Sequence, residues 1–237
     1  DDFETAKHSF DMKAISSWYL ASTPQDYNTS NPLFPETAQD LGLTYGFNRA
    51  KIAWYYIDDN FYVSPPANIS ADDRSKPSVR TIFETEFHPN KEIPQQMQAL
   101  TVREFNLAFY PSERGPYNFD TTSAYSAGLM DDGSLRSPET RWGGIMRKLE
   151  RTDFEEVNIE YIEFWMMDPF IDNPQHKGGK LYFNLGDISE DILRDGRKSF
   201  ENGLPVTAEV IDVDTTIWGR VPRLQSIVNA FSNDPTA

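Results

Sequence analysis

Two dense apolar runs on either side of a turn-rich connection constrain this chain more than any other feature. The first is Ile159-Glu160-Tyr161-Ile162-Glu163-Phe164-Trp165-Met166-Met167-Asp168-Pro169-Phe170, and the second is Leu181-Tyr182-Phe183-Asn184-Leu185-Gly186. In the first, Ile159, Tyr161, Glu163 and Trp165 alternate with Glu160, Ile162, Phe164 and Met166. Both sets are largely apolar, the pattern of a central strand buried on both faces, here over 157–167. His176-Lys177-Gly178-Gly179-Lys180 reads as a hairpin turn, because paired glycines permit the positive φ that tight hairpins need. A return strand over 180–185 follows. Asp187 and Glu190 then form an Asp-x-x-Glu capping box with Gly196 as the stop, which predicts a short helix over 188–195. This is the grammar of a β-sandwich.

The rest of the chain agrees with that class. Residues 50–57, 79–87, 101–110 and 142–149 are strand candidates rich in β-branched and aromatic residues. In the third, polar and apolar residues alternate from Val102 to Leu107, and Pro111 ends it. Residues 1–50 read as irregular, 64–78 as an exposed loop or linker, and 111–141 as turn-rich. Near the end, Val221, Leu224, Ile227, Val228 and Phe231 fit one helical face. The expected organisation is an N-terminal segment with one strand over 1–78, a sandwich domain over 79–218, and a C-terminal helix or linker over 219–237.

Charge removes several partner classes. The 37 acidic residues against 22 basic ones give a net charge of −15, which repels nucleic acid and anionic lipid. Cysteine is absent, so disulfides and thiolate metal sites are excluded. No run approaches the length of a membrane-spanning helix. The chain opens on Asp1 rather than Met and shows no signal peptide, so it is expected to be a monomeric fragment of a longer polypeptide.

No arrangement of residues reads as a catalytic engine, and the expectation is a protein that is not an enzyme. His8, His88 and His176 are far apart and lack metal-ligand spacing. Asp168, Asp172 and Asp187 flank the two apolar runs and would meet at one end of a sandwich. Turn aspartates ordinarily cap their own backbone. The same three are candidates for a structural calcium ion, which prefers hard oxygen ligands; no other cofactor is expected. Glycoside cleavage would need two carboxylates at a fixed separation, which sequence does not supply. Trp54, Tyr55, Tyr56, Tyr62, Tyr110 and Tyr117 are core aromatics or, alternatively, a stacking platform for sugar rings. Arg114 lies in the polar turn Ser112-Glu113-Arg114-Gly115-Pro116-Tyr117 and is expected to pair with Glu113 or another nearby acid. The candidate ligand or partner surface is therefore Trp54, Tyr56, Tyr110, Arg114 and Tyr117.

Several blocks taken together resemble the SprA/Sov family, the giant outer-membrane translocon of type IX secretion and gliding motility. They are Tyr45-Gly46-Phe47-Asn48-Arg49-Ala50-Lys51-Ile52-Ala53-Trp54-Tyr55, the stretch from Leu107 through Pro111-Ser112-Glu113-Arg114-Gly115-Pro116-Tyr117-Asn118-Phe119 to Asp120, Trp142-Gly143-Gly144-Ile145-Met146-Arg147, Glu160 to Phe170, and Leu181 to Gly196 continuing to Pro205. They occur in the same order and cover most of residues 40–230. The resemblance implies a soluble insertion of a very large outer-membrane β-barrel in a Gram-negative bacterium, facing the periplasm or the cell surface. It implies a jelly-roll-like sandwich with a few short helices, similar to carbohydrate-binding modules and galactose-binding-like domains. Expected partners are the rest of the barrel, accessory outer-membrane proteins or secreted cargo, with a glycan as the alternative. The resemblance supplies no catalytic residue.

Overall fold

The computed structural model describes residues 11–25, 32–38, 42–90, 92, 100–149, 161–192, 212–216 and 219–222. Within them the architecture is mainly β, made of small sheets with a few short helices and no closed barrel. The strands are β1 (Tyr19–Leu20), β2 (Ala50–Tyr55), β3 (Ile82–Phe83), β4 (Thr101–Val102), β5 (Asn106–Arg114), β6 (Ile145–Met146), β7 (Val213–Thr216) and β8 (Gly219–Pro222). The helices are α1 (Asn60–Val63) and α2 (Ala71–Ser75). The strands pair as β1 with β6, β2 with β5, β3 with β4, and β7 with β8. In the antiparallel β3–β4 pair Ile82 faces Val102, and in β7–β8 Val213 faces Pro222. None of the helices among the described residues is long and apolar enough to cross a membrane.

The chain divides into two compact units. The first comprises Asp1–Tyr19, Ala53–Ala108 and Arg147–Asn184; the second comprises Leu20–Ile52, Phe109–Met146 and Leu185–Ala237. Residues 64–78 lie inside the first unit and carry α2. That helix starts where it does because Ser70 caps it: Asp73 N donates to Ser70 Oγ at 3.0 Å and Ser70 N donates to Asp73 Oδ2 at 3.3 Å. Every buried residue among those described belongs to the second unit, and polar side chains outnumber apolar ones there. Its apolar members are Ala21, Tyr45, Phe47, Ala50 and Leu135. Its polar members are Ser22, Thr23, Glu36, Asn48, Arg49, Asn118, Asp120, Ser126 and Arg141.

The candidate strand over 50–57 is β2, but several other expectations are corrected. Pro111 does not end its strand; β5 continues through it to Arg114. In a two-stranded ladder each strand has one open edge, where a missing N–H removes no bond. The 79–87 candidate is reduced to β3, followed by a 3-10 turn at Glu84–Glu86. There the Arg80 guanidinium donates twice to the Glu86 carboxylate, at 2.8 and 2.6 Å, and Phe83 N donates to the same carboxylate at 2.9 Å. Those side-chain bonds close the backbone into a turn. The 101–110 candidate is split into β4 and β5, and of 142–149 only β6 and an isolated parallel bridge between Trp142 and Arg49 are extended pairs.

The expected central strand is the largest correction. Residues 161–167 form no strand, and Tyr161 and Trp165 are 74% and 64% exposed; 157–160 lie outside the described residues. No described strand lies alongside to complete a ladder, and among the described residues two ring contacts involve the run. Trp165 stacks on Phe87 at 5.8 Å and Phe164 meets Phe183 at 5.7 Å. The return strand over 180–185 and the start of the helix over 188–195 are likewise absent from 180–185 and 188–192; 193–195 are not described. Gly178 does adopt the positive φ expected of the turn, at 82°. The predicted C-terminal helix opens as β8 at Gly219–Pro222, and Leu224 to Phe231 lie outside the described residues. His8 lies outside them as well.

Candidate functional site

The sequence-predicted surface residues are divided between the two units. Trp54 and Tyr56 belong to the first unit, while Tyr110, Arg114 and Tyr117 belong to the second. The Tyr56 hydroxyl donates to the Lys13 carbonyl, and the Arg103 guanidinium lies 5.5 Å from its ring centroid. The Tyr110 ring is covered by Lys51 Nζ at 4.8 Å. Arg114 does not pair with Glu113 as expected. Lys51 takes that carboxylate at 2.6 Å, and Arg114 Nη2 donates to the Asn118 carbonyl at 2.6 Å instead. This bond spans Tyr117, which sits in left-handed backbone at φ 62°. Asp168 Oδ1 accepts from Phe170 N at 2.9 Å, closing its own turn. Asp172 lies in the same first unit and Asp187 in the second. Among the described residues no group of three His, Cys, Asp or Glu is assembled as a metal site.

The structure instead brings together a polar cluster in the second unit, and Arg141 is its centre. Its side chain and that of Asp120 are both 0% exposed, and Nη1 meets Asp120 Oδ2 at 2.8 Å. Nη1 also faces the Phe47 carbonyl at 2.9 Å, Ser126 Oγ at 3.0 Å and Asn48 Oδ1 at 3.2 Å, so its two protons are shared. Nη2 donates to the Gly128 carbonyl at 2.9 Å and Nε to the Arg136 carbonyl at 2.8 Å. Ser126 Oγ donates to Asp120 Oδ2 at 2.7 Å. The planar guanidinium fork suits this task, because several fixed donors can reach acceptors from different loops at once.

Asn118 extends the same cluster. Its Nδ2 donates to the carbonyls of Phe47 at 3.1 Å and Arg49 at 2.5 Å, while its Oδ1 accepts from Asp120 N at 2.8 Å. Gly115 allows this close approach: a Cβ there would lie 2.4 Å from the Ala50 carbonyl oxygen.

Two further buried charged residues, Glu36 and Arg49, lie in the same unit without bonding each other directly. Glu36 accepts from Trp142 Nε1 and from Asn48 Nδ2, each at 2.8 Å. Arg49 Nη1 donates to the Ala21 carbonyl at 2.5 Å, and its guanidinium carbon stands 4.6 Å from the Trp142 ring centroid. Burial pushes the Glu36 carboxyl above its ordinary value; the bonds from Asn48 and Trp142 and the charge of Arg49 pull the other way without cancelling it. Burial likewise lowers Arg49 to about 10, against the opposing effects of Glu36 and Tyr117, so it remains a cation at neutral pH.

Apart from Arg49 Nε and Asp120 Oδ1, which have no hydrogen-bond partner among the described residues, these groups are committed to each other and to main-chain carbonyls, so the arrangement positions loops. It joins 45–50, 111–128 and 134–142 through side chains as far apart in sequence as Trp142 and Glu36, separated by 106 positions. None of Glu36, Arg49, Asn118, Asp120, Ser126 or Arg141 is picked out by sequence reasoning. A usable signal was present: Asn48-Arg49 interrupts the run between Phe47 and Ala50, and Asn118 and Asp120 alternate with aromatics in Tyr117-Asn118-Phe119-Asp120. Charged and amide residues inside apolar blocks are the ones that a core must satisfy internally. No protein-family model matches the chain, and no curated protein matches it.

Proposed function

We propose that this chain is a non-catalytic structural and partner-docking domain of an outer-membrane protein translocon of the SprA/Sov type, with a jelly-roll-like sandwich as its fold. The observation that carries the reading is where the resembling blocks lie. Parts of three of them, Tyr45 to Ala50, Pro111 to Asp120 and Trp142 to Gly144, are folded against one another in the second unit: Asn118 Nδ2 donates to the Phe47 carbonyl, Trp142 N to the Asn48 carbonyl and Ala50 N to the Trp142 carbonyl. Blocks that share a core have a reason to occur together in one chain. A cluster that spends its charges on holding loops suits a scaffold that shapes a pore mouth or offers a docking face. Sugar stacking is less favoured, since it would have to displace Lys51 from Tyr110 or Arg103 from Tyr56.

The test is an antibody raised to this chain and used to blot fractionated cells of its source. A band of several hundred kilodaltons in the outer membrane is expected. A soluble band near 27.2 kDa would overturn the reading.

A further inference from the structure

The segment from Asp11 to Ala14 is held in the first unit by its backbone alone. The side chains of all four residues are exposed. Yet every carbonyl from Asp11 to Ile15 accepts a hydrogen bond. Arg147 Nη1 donates to Asp11 O at 3.1 Å, Trp18 Nε1 to Met12 O at 2.8 Å, and the Tyr56 hydroxyl to Lys13 O. Ser17 N and Trp18 N close a 3-10 turn onto Ala14 O and Ile15 O, each at 3.1 Å. The side-chain anchor is Trp18, whose ring lies 5.8 Å from Phe105 and 5.7 Å from the Arg147 guanidinium. All of these residues belong to the first unit.

Two of these donors, Arg147 and Tyr56, come from outside the segment and reach alternate carbonyls, those of Asp11 and Lys13; beside one aromatic anchor, that is how a surface holds a peptide backbone with little regard for its side chains. We infer that Tyr56, Phe105 and Arg147 form a peptide-binding cleft, occupied here in cis by residues 11–18. The partner it fits is a short segment of another polypeptide that offers two alternate carbonyls and then turns once to set a tryptophan against Phe105. The cis strap is then an internal competitor. It is released before the rest of the unit unfolds, because its first four side chains are exposed, and its tethering sets the concentration that a partner must exceed. The inference rests on this geometry and does not depend on the translocon reading.

The experiment adds a labelled peptide, Asp-Met-Lys-Ala-Ile-Ser-Ser-Trp, to the full chain and to the full chain carrying Trp18→Ala, and follows fluorescence anisotropy. Trp18→Ala removes the cis anchor, so the peptide should bind that variant about tenfold more tightly than the unsubstituted chain. Adding Tyr56→Phe or Arg147→Met to Trp18→Ala should weaken binding several-fold. Equal binding to all four chains, or none to any, overturns the inference. Should Trp18→Ala lose its fold, tryptic cleavage after Lys13 in the unsubstituted chain decides. The free peptide should accelerate that cleavage by displacing the strap, and an unchanged rate overturns the cleft.

Discussion

Arg141→Met is the substitution whose cost is best defined by the structure. Methionine fills much of the arginine stem's volume and removes the guanidinium. It leaves Asp120 0% exposed, with Ser126 Oγ on Oδ2 and no hydrogen-bond donor on Oδ1. Breaking a buried ion pair by removing one partner costs about 3–5 kcal/mol. The carbonyls of Phe47, Gly128 and Arg136 each lose the Arg141 donor too, so the upper half of that range is expected. Domains of this kind are stable by roughly 5–15 kcal/mol, so a large share is lost. At about 1.4 kcal/mol per factor of ten, the unfolding constant rises by about three decades. Urea unfolding at neutral pH, followed by tryptophan fluorescence, should show the midpoint fall by about 2 M for a slope near 2 kcal/mol/M. Adding Asp120→Asn should recover part of the loss, because the buried charge disappears along with its partner. A midpoint change worth less than about 1 kcal/mol at constant slope, the cost of an ordinary exposed site, would refute the reasoning. So would an Asp120→Asn cost that simply adds to that of Arg141→Met.

Other substitutions probe the same frame. Gly115→Ala places a Cβ 2.4 Å from the Ala50 carbonyl oxygen, where backbone must move, and should lower stability by about 1–3 kcal/mol in the same urea assay. Ser137→Gly relieves left-handed backbone at φ 50° and should raise stability by about 0.5–1 kcal/mol after glycine's own entropy cost; a loss would show that the conformation carries no strain. Because the Glu36 carboxyl is raised in the folded chain, its contribution is fully present below 4.5 and is lost as pH rises through the raised value. The stability difference between the unsubstituted chain and Glu36→Gln should therefore shrink or reverse as pH rises above 4.5, and a difference constant with pH would contradict this. The double bond from Arg80 and the bond from Phe83 N lower Glu86 to about 2, so its contribution is present above 4.5 and is lost as pH falls through about 2. Carbon-detected NMR of the Glu86 carboxylate should show that midpoint, and an ordinary glutamate titration would discard the geometry.

Local rules were legible where the chain acts locally. Residues 50–55 are extended as their aromatic and β-branched content indicates, 111–141 is built of turns apart from the end of β5, and Asp168 closes its own turn. The Ser70-x-x-Asp73 cap was equally readable and is present, although the box singled out from sequence was Asp187 with Glu190. At 161–167 apolar alternation is present without a ladder. Alternation specifies which side chains share a face; it does not supply the neighbouring strand whose N–H and C=O groups make the sheet.

By itself, then, the sequence determined a mainly β chain with short strands, many turns and an acidic character, because pleat, turn chemistry and charge are written residue by residue. Only the tertiary structure decided that the buried centre of the second unit is polar, with Arg141 on Asp120 and Glu36 between Trp142 and Asn48. Such groups have no period and no short spacing. The Arg141–Asp120, Asn48–Glu36 and Trp142–Glu36 pairs span 21, 12 and 106 positions, and a charge is tolerated inside only when such distant partners arrive together.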